Sequence, residues 1–183
     1  MTLTMGQLED TFYCPVLKSL HTIDIHTCKT LNGLSYTVFA NSAVDAIDIA
    51  TPLDIKLVTP ATLTMMHLTI ATSLAAAGNL LAYEVDGVAA HFDVTGGVAQ
   101  TPINRNRNSV LTSGVLAYTG VTVTQATADV LILSERIGGV LGGRVERGSY
   151  LILKTNTQYL FRLTTDADNN EGSMVLSWFE NVS

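Results

Sequence analysis

Apolar and polar residues alternate with period two along most of the chain. The runs are "LSYTVFA" (34–40), "LDIKLV" (53–58), "LTMMHLTI" (63–70), "LLAYEVD" (80–86), "VTVTQA" (121–126), "DVLILSE" (129–135), "SYLILKT" (149–155), "QYLFRLTT" (158–165) and "SMVLSWFE" (173–180). Such alternation sends successive side chains to opposite faces of a strand, and the wealth of Val, Ile and Thr suits a pleated, half-buried surface. Between the runs stand "AAAGN" (75–79), "TGG" (95–97), "IGGVLGG" (137–143), "TNT" (155–157) and "DADNNEG" (166–172). Their glycines and Asx residues supply the backbone freedom that a reversal needs. Strands at this spacing predict an all-β protein, an antiparallel β-sandwich of jelly-roll-like build.

Two local features refine that expectation. "YLILKTNTQYLFRLTT" reads as a hairpin around "TNTQ", with Asn156 in the left-handed region; Tyr159, Phe161 and Leu163 then share one face, with Leu160 and Arg162 on the other. Residues 1–20, including "MGQLEDTFYCPVLKSL", show little alternation and read as a less regular N-terminal arm, leaving 21–183 as the sandwich domain. No internal repeat interrupts it.

Composition changes the picture in one respect. Of 183 residues only 14% are charged while 47% are hydrophobic, so much of the surface must be neutral. Charge is depleted at the centres of protein interfaces, and a homo-oligomer is therefore expected. A net charge of -6 argues against nucleic acid as a partner, because neutralising phosphates takes a basic face. "MTLTMGQLED" has no basic segment followed by an apolar run, so no secretory signal is expected, and the longest weakly charged stretch is broken by Pro60 and threonines, so no membrane span is expected. Two cysteines, Cys14 and Cys28, do not make a disulfide framework.

Candidate chemistry is sparse. "IHTC" puts His26 and Cys28 on one strand face, but a zinc site needs three or four ligands and no other His/Cys cluster accompanies them. Asp45/Asp48 and Asp166/Asp168 with Glu171 are carboxylate pairs; "DADNNEG" begins like a calcium loop yet lacks the remainder, and reads as a solvated hairpin turn. Nucleophile elbows, phosphate loops and metalloprotease motifs are absent from the sequence. No enzyme activity, metal or cofactor is expected. "PINRNRNS" (102–109) is the unusual segment: on a strand, Arg105 and Arg107 point the same way and would clamp a carboxylate of a neighbouring strand, Glu84 first and Glu180 second. The plain alternative is a polar loop with two solvated arginines.

The ordered series "IHTCKTLNGLSY", "LLAYEVDG", "NRNR", "LILKTNTQYLFRLTT" and terminal "WFE", over about residues 25–180, resembles the capsid decoration (cement) proteins of tailed bacteriophages. The resemblance implies a non-enzymatic virion structural protein, made in the host cytoplasm. It would sit on the exterior of the phage head and bridge major capsid protein subunits. It also implies that Glu84, Arg105, Arg107, Lys154, Tyr159, Arg162, Trp178 and Glu180 form an internal ion-pair and aromatic scaffold. Cys28, where a glycine is more usual, and "TTDADN" depart from the pattern. Trimers would suit local threefold positions and dimers local twofolds. The first twenty residues would then order on the lattice, and loops 86–101 and 136–148 would touch other copies. The competing expectation is a receptor-binding or fibre-head β-sandwich that recognises a host surface glycan, which requires exposed aromatics in a pocket. A carbohydrate-cleaving enzyme is the third class, and would require two carboxylates at a fixed separation.

Overall fold

The computed structural model describes residues 13–14, 19–20, 25–42, 47–85, 93–124, 130–137 and 143–182. In chain order the elements are β1 (Tyr13–Cys14), β2 (Ser19–Leu20), α1 (Ile25–Leu31), β3 (Ser35–Asn41), β4 (Leu53–Val58), β5 (Leu63–Leu74), β6 (Gly78–Val85), β7 (Asp93–Thr95) and β8 (Val98–Gln100). They continue with β9 (Ile103–Asn104), β10 (Leu116–Thr119), β11 (Thr122–Thr124), β12 (Val130–Ile137), β13 (Gly143–Leu153), β14 (Gln158–Thr165) and β15 (Gly172–Val182). Each run of alternating residues from 34 onward coincides with a strand.

Two antiparallel sheets pack as a sandwich, one ordered β12-β6-β14-β4-β10-β8 and the other β13-β5-β15-β3-β9. Eight of these strands form one long doubled ribbon: β6 pairs with β12, β5 with β13, β4 with β14 and β3 with β15, and successive pairs fall in alternate sheets. The chain therefore changes sheet at every connection within the ribbon except the central one, β6 to β12.

Alternation explains which face goes inward. Tyr36, Val38 and Ala40 of β3, Leu68 and Ile70 of β5, and Met174, Leu176 and Trp178 of β15 meet Ile55 and Leu57 of β4, Leu80 and Ala82 of β6, and Tyr159, Phe161 and Leu163 of β14 in one core. The shared face expected for Tyr159, Phe161 and Leu163 is the core face. Their intervening neighbour Leu160 lies on the outer side with Val85, under Tyr83, Val121 and Val123. Each such buried side chain contributes on the order of 1.5–3 kcal/mol by leaving water.

The hairpin expectation is corrected. β13 and β14 do not pair; β13 bonds to β5 and β14 to β4 and β6, in different sheets. Asn156 does take the left-handed conformation, with φ 50°. A sheet-to-sheet arch needs the same local reversal as a hairpin, and interactions distant in sequence select the arch: burial of both strands in opposite sheets and the bonds of Lys154, Asn156 and Thr157 to Thr59 and Pro60. "DADNNEG" likewise joins the two sheets instead of closing a hairpin, with Asn169 at φ 55°. "IHTCKT" belongs to α1 and not to a strand. Its end is fixed by Gly33 at φ 72°, with the Gly33 amide bonded to Thr30 O at 3.0 Å and that of Leu34 to Lys29 O at 2.9 Å, a paired C-terminal cap.

Segments expected to be contact loops are partly strand: β7 and β8 fall within 86–101, and β12 and β13 take up parts of 136–148. Residues 86–92 and 138–142 lie outside the described residues, as does the proposed arm 1–20 apart from β1 and β2. The excursion between β6 and β12 supplies edge strands. β10 and β8 extend the six-stranded sheet beyond β4, and β9 extends the other beyond β3, so both sheet edges at the ends of the ribbon are paired.

At the arch between β5 and β6, Gly78 leaves no room for a side chain: a Cβ would run into the carbonyl oxygen of Thr164 and lie 2.5 Å from Leu74 Cδ2. Gly78→Ala is expected to cost about 2 kcal/mol or more, a fall of roughly 4–8 °C in Tm for a domain of this size. Thermal unfolding followed by circular dichroism checks this, and an unchanged midpoint contradicts the close approach.

Candidate functional site

The two outer faces of the sandwich differ in kind. On the five-stranded sheet, the outward positions of β3, β15 and β5 fall in four cross-strand rows: Asn41, Ser173, Ser73; Phe39, Val175, Ala71; Thr37, Ser177, Thr69; and Ser35, Phe179, His67. None of these twelve positions carries an acidic residue, a lysine or an arginine; on the next strand, β13, Glu146 stands opposite Ala71 and Arg144 opposite Ser73. Phe39 is 50% exposed at one end of its row, and Ile152, paired with His67, is 61% exposed on β13. The hydroxyls satisfy one another: Thr37 Oγ1 lies 3.1 Å from Ser177 Oγ, Thr69 Oγ1 donates to Ser177 O at 3.1 Å, and Ser73 Oγ meets Ser173 Oγ at 2.7 Å. His67 stacks on Phe179 with ring centroids 4.5 Å apart.

The six-stranded sheet is charged and partly covered by its own chain. β7 and β11 pair as a ribbon, and Val123 of β11, with the adjacent Val121, packs over Val85 and Leu160. Arg162 holds Asp54 with two hydrogen bonds of 2.8 Å, Nε to Oδ1 and Nη2 to Oδ2, and Lys56 Nζ stands 4.6 Å from the centre of the Tyr118 ring. Burial pushes the Asp54 carboxyl above its ordinary range, and the hydrogen bonds and charge of Arg162 pull it part of the way back.

The expected scaffold residues separate into two groups. Arg162 pairs with Asp54; Glu84 pairs with Lys154 Nζ at 2.6 Å; and Tyr159 Oη accepts from the Lys154 amide at 2.8 Å. Trp178, 2% exposed, donates Nε1 to Glu180 Oε1 at 2.9 Å. Buried Glu180 also accepts from Ser113 Oγ and from the Gly114 amide at 3.2 Å, two donors that tie the excursion to β15. Tyr36, 6.2 Å from the Trp178 ring, has its phenol pushed up by burial and by the nearby Glu180 charge.

Arg105 and Arg107 do not belong to this scaffold, and the expected clamp on Glu84 or Glu180 is corrected. Both arginines are exposed in the bend after β9, and among the described residues no carboxylate pairs with either. The ordered side chains of "NRNRN" are the asparagines. Buried Asn104 donates Nδ2 to Gly33 O and Leu111 O, both at 2.9 Å, and accepts from the Asn106 amide at 2.9 Å. Asn106 Nδ2 reaches Leu31 O at 2.9 Å and its Oδ1 takes the Asn108 amide at 3.1 Å. An Asx turn folds the chain out of the strand, so the arginines no longer share a strand face. The alternating Asn spacing was the signal for this turn.

The other candidates resolve locally. Asp166 pairs with Arg136, Asp168 Oδ1 accepts from the Ile49 amide at 3.0 Å, and Asp48 Oδ1 accepts from the Asn169 amide at 2.9 Å. Helix α1 removes the strand spacing that would have put His26 and Cys28 on one face. Among the described residues, no group of three His, Cys, Asp or Glu side chains converges and no helix is long and apolar enough to cross a membrane. No known protein family matches the chain, and no curated protein matches it.

Two expectations follow for the polar groups. Arg162→Met leaves a buried carboxylate without its cation and should cost about 3–5 kcal/mol near neutral pH. Because the folded-state pKa of Asp54 lies above its unfolded value, and rises further without Arg162, the loss should shrink as the pH falls through the carboxyl range and Asp54 protonates. Urea unfolding at neutral and acid pH checks the trend; a pH-independent loss contradicts it. Separately, Asn104→Ala should cost about 1–3 kcal/mol while Arg105→Ala and Arg107→Ala stay within about 0.5 kcal/mol of the parent, as calorimetry can measure.

Proposed function

We propose that this chain is a non-enzymatic virion structural protein that binds the exterior of a tailed-phage head and bridges major capsid protein subunits as a decoration protein. Its eight-strand ribbon is read as a jelly roll, and its working form as a homo-oligomer, a trimer in preference to a dimer. The resemblance that suggests this rests on the ordered sequence blocks ending in "LILKTNTQYLFRLTT" and "WFE".

The observation that carries the proposal is the charge-free outer face of β3, β15 and β5. Its hydroxyls are already bonded to one another and to backbone, so covering them strands few polar groups, while half-exposed Phe39 gains from leaving water. Ser35 and Phe179 of the fourth row are already buried; three strands at about 4.8 Å spacing, over the other three rows about 7 Å apart, give a patch of about 300 Å². A standard stable interface buries about 800 Å² per partner, so one such contact is weak and suits a protein held at several lattice points at once. The stiffness of the sandwich limits the entropy lost on docking. Buried Trp178 offers no stacking platform for a sugar, which disfavours the fibre-head alternative.

The test is co-sedimentation with undecorated, expanded heads of the same phage. The parent protein should pellet only when heads are present, and Phe39→Asp should lower apparent affinity at least tenfold with an unchanged melting temperature. A parent protein that stays in the supernatant removes the proposal.

A further inference from the structure

At one end of the neutral face the chain forms a shallow, solvent-open cleft lined by Ser35, His67, Thr69, Arg105, Ser177, Trp178 and Phe179. Arg105 is its cation. Its enclosed space, about 10 Å³, holds no more than about one water, so a group that binds there meets Arg105 at the rim and not inside a pocket.

The position of Arg105 is set by groups other than its own side chain. Its amide donates to Ser35 O at 2.9 Å, and the Asn104 and Asn106 side chains tie the flanking backbone to Gly33, Leu111 and Leu31. The Arg105 guanidinium, exposed and with no carboxylate paired to it among the described residues, is open to an external acceptor. We infer that the Arg105 cleft binds an aspartate or glutamate side chain of the partner protein that docks on the neutral face. The inference rests on the docking reading above and specifies the partner's chemistry there.

Charge complementarity selects the occupant. The chain carries a net charge of -6, so an acidic partner meets repulsion over much of its surface, and the four rows beside the cleft hold no carboxylate of their own. A planar carboxylate matches the guanidinium fork with two parallel hydrogen bonds. An ammonium or guanidinium on the partner would instead face Arg105.

The experiment is head co-sedimentation of the parent, Arg105→Glu, Arg105→Lys and Arg107→Glu, each first checked for an unchanged melting temperature. The parent should bind, Arg105→Glu should bind at least tenfold more weakly, Arg105→Lys should fall between them, and Arg107→Glu, outside the cleft, should stay within about threefold of the parent. If the parent binds and Arg105→Glu binds equally well, the cleft inference is wrong and the docking reading stands. Equal losses in Arg105→Glu and Arg107→Glu would mean diffuse electrostatics and also overturn it. If the parent does not bind heads, the docking reading fails and takes the inference with it. Arg105-dependent binding of a sialylated oligosaccharide in that case would assign the cleft to an acidic sugar.

Discussion

A ribbon that folds across two sheets must break its own hydrogen-bond ladder wherever it changes sheet, and the backbone groups released there need partners. In this protein the arches satisfy each other. Thr59, between β4 and β5, shares its one hydroxyl hydrogen between Lys154 O at 2.6 Å and Thr157 O at 3.0 Å; the amide of Thr157 returns a bond to the same hydroxyl. At the opposite end Asn170 accepts from the amides of Ala76 and Glu171, while Ala75 donates to Glu171 O and Asp166 to Ala77 O. The paired arches hold the two sheets in register, and everything on either outer face inherits its position from them.

That arrangement explains why the outer faces can differ. The core is filled by one residue in two on β3, β4, β5, β6, β14 and β15, so the alternate residues of these strands are free for the outer faces. On the six-stranded sheet they are used for the Asp54–Arg162 pair, for Lys56 against Tyr118, and for an apolar seat beneath Val121 and Val123. On the five-stranded sheet they form hydroxyl rows around Phe39 and Phe179. Glu180, an inward-facing carboxylate, is tolerated in the core because three donors converge on it.

What was legible in the sequence follows the range of the interactions involved. Period-two alternation is local, and the strands from "LSYTVFA" to "SMVLSWFE" were readable, as was the left-handed Asn156. Strand pairing is not local: "TNTQ" permits both a hairpin and an arch, and the choice is made by Thr59 and Pro60 nearly a hundred residues away. Helix α1 was missed because "IHTC" alternates like a strand, although "NGL" with Gly33 is the mark of a helix end. In "NRNRNS" the arginines drew attention as charges, whereas the turn is built by Asn104 and Asn106. The short β8, β9 and β10 carry too few residues to show a period. Within the expected scaffold Glu84 pairs with Lys154 and Trp178 with Glu180, while Arg162 and Glu180 also take partners from outside the expected set, Asp54 and Ser113.

The placement of charge bears on how an acidic chain approaches another protein. Sheets in a sandwich lie about 10 Å apart, and electrostatic interactions in physiological salt decay over about 8 Å. Asp54, Lys56 and Arg162 on the outer side of the six-stranded sheet therefore stand on the far side of the sandwich from the neutral face. Arg105 sits at the cleft on the near side. A net charge of -6 belongs to the whole chain and leaves the rows of β3, β15 and β5 without a carboxylate, so the sign of the molecule does not set the sign of that face.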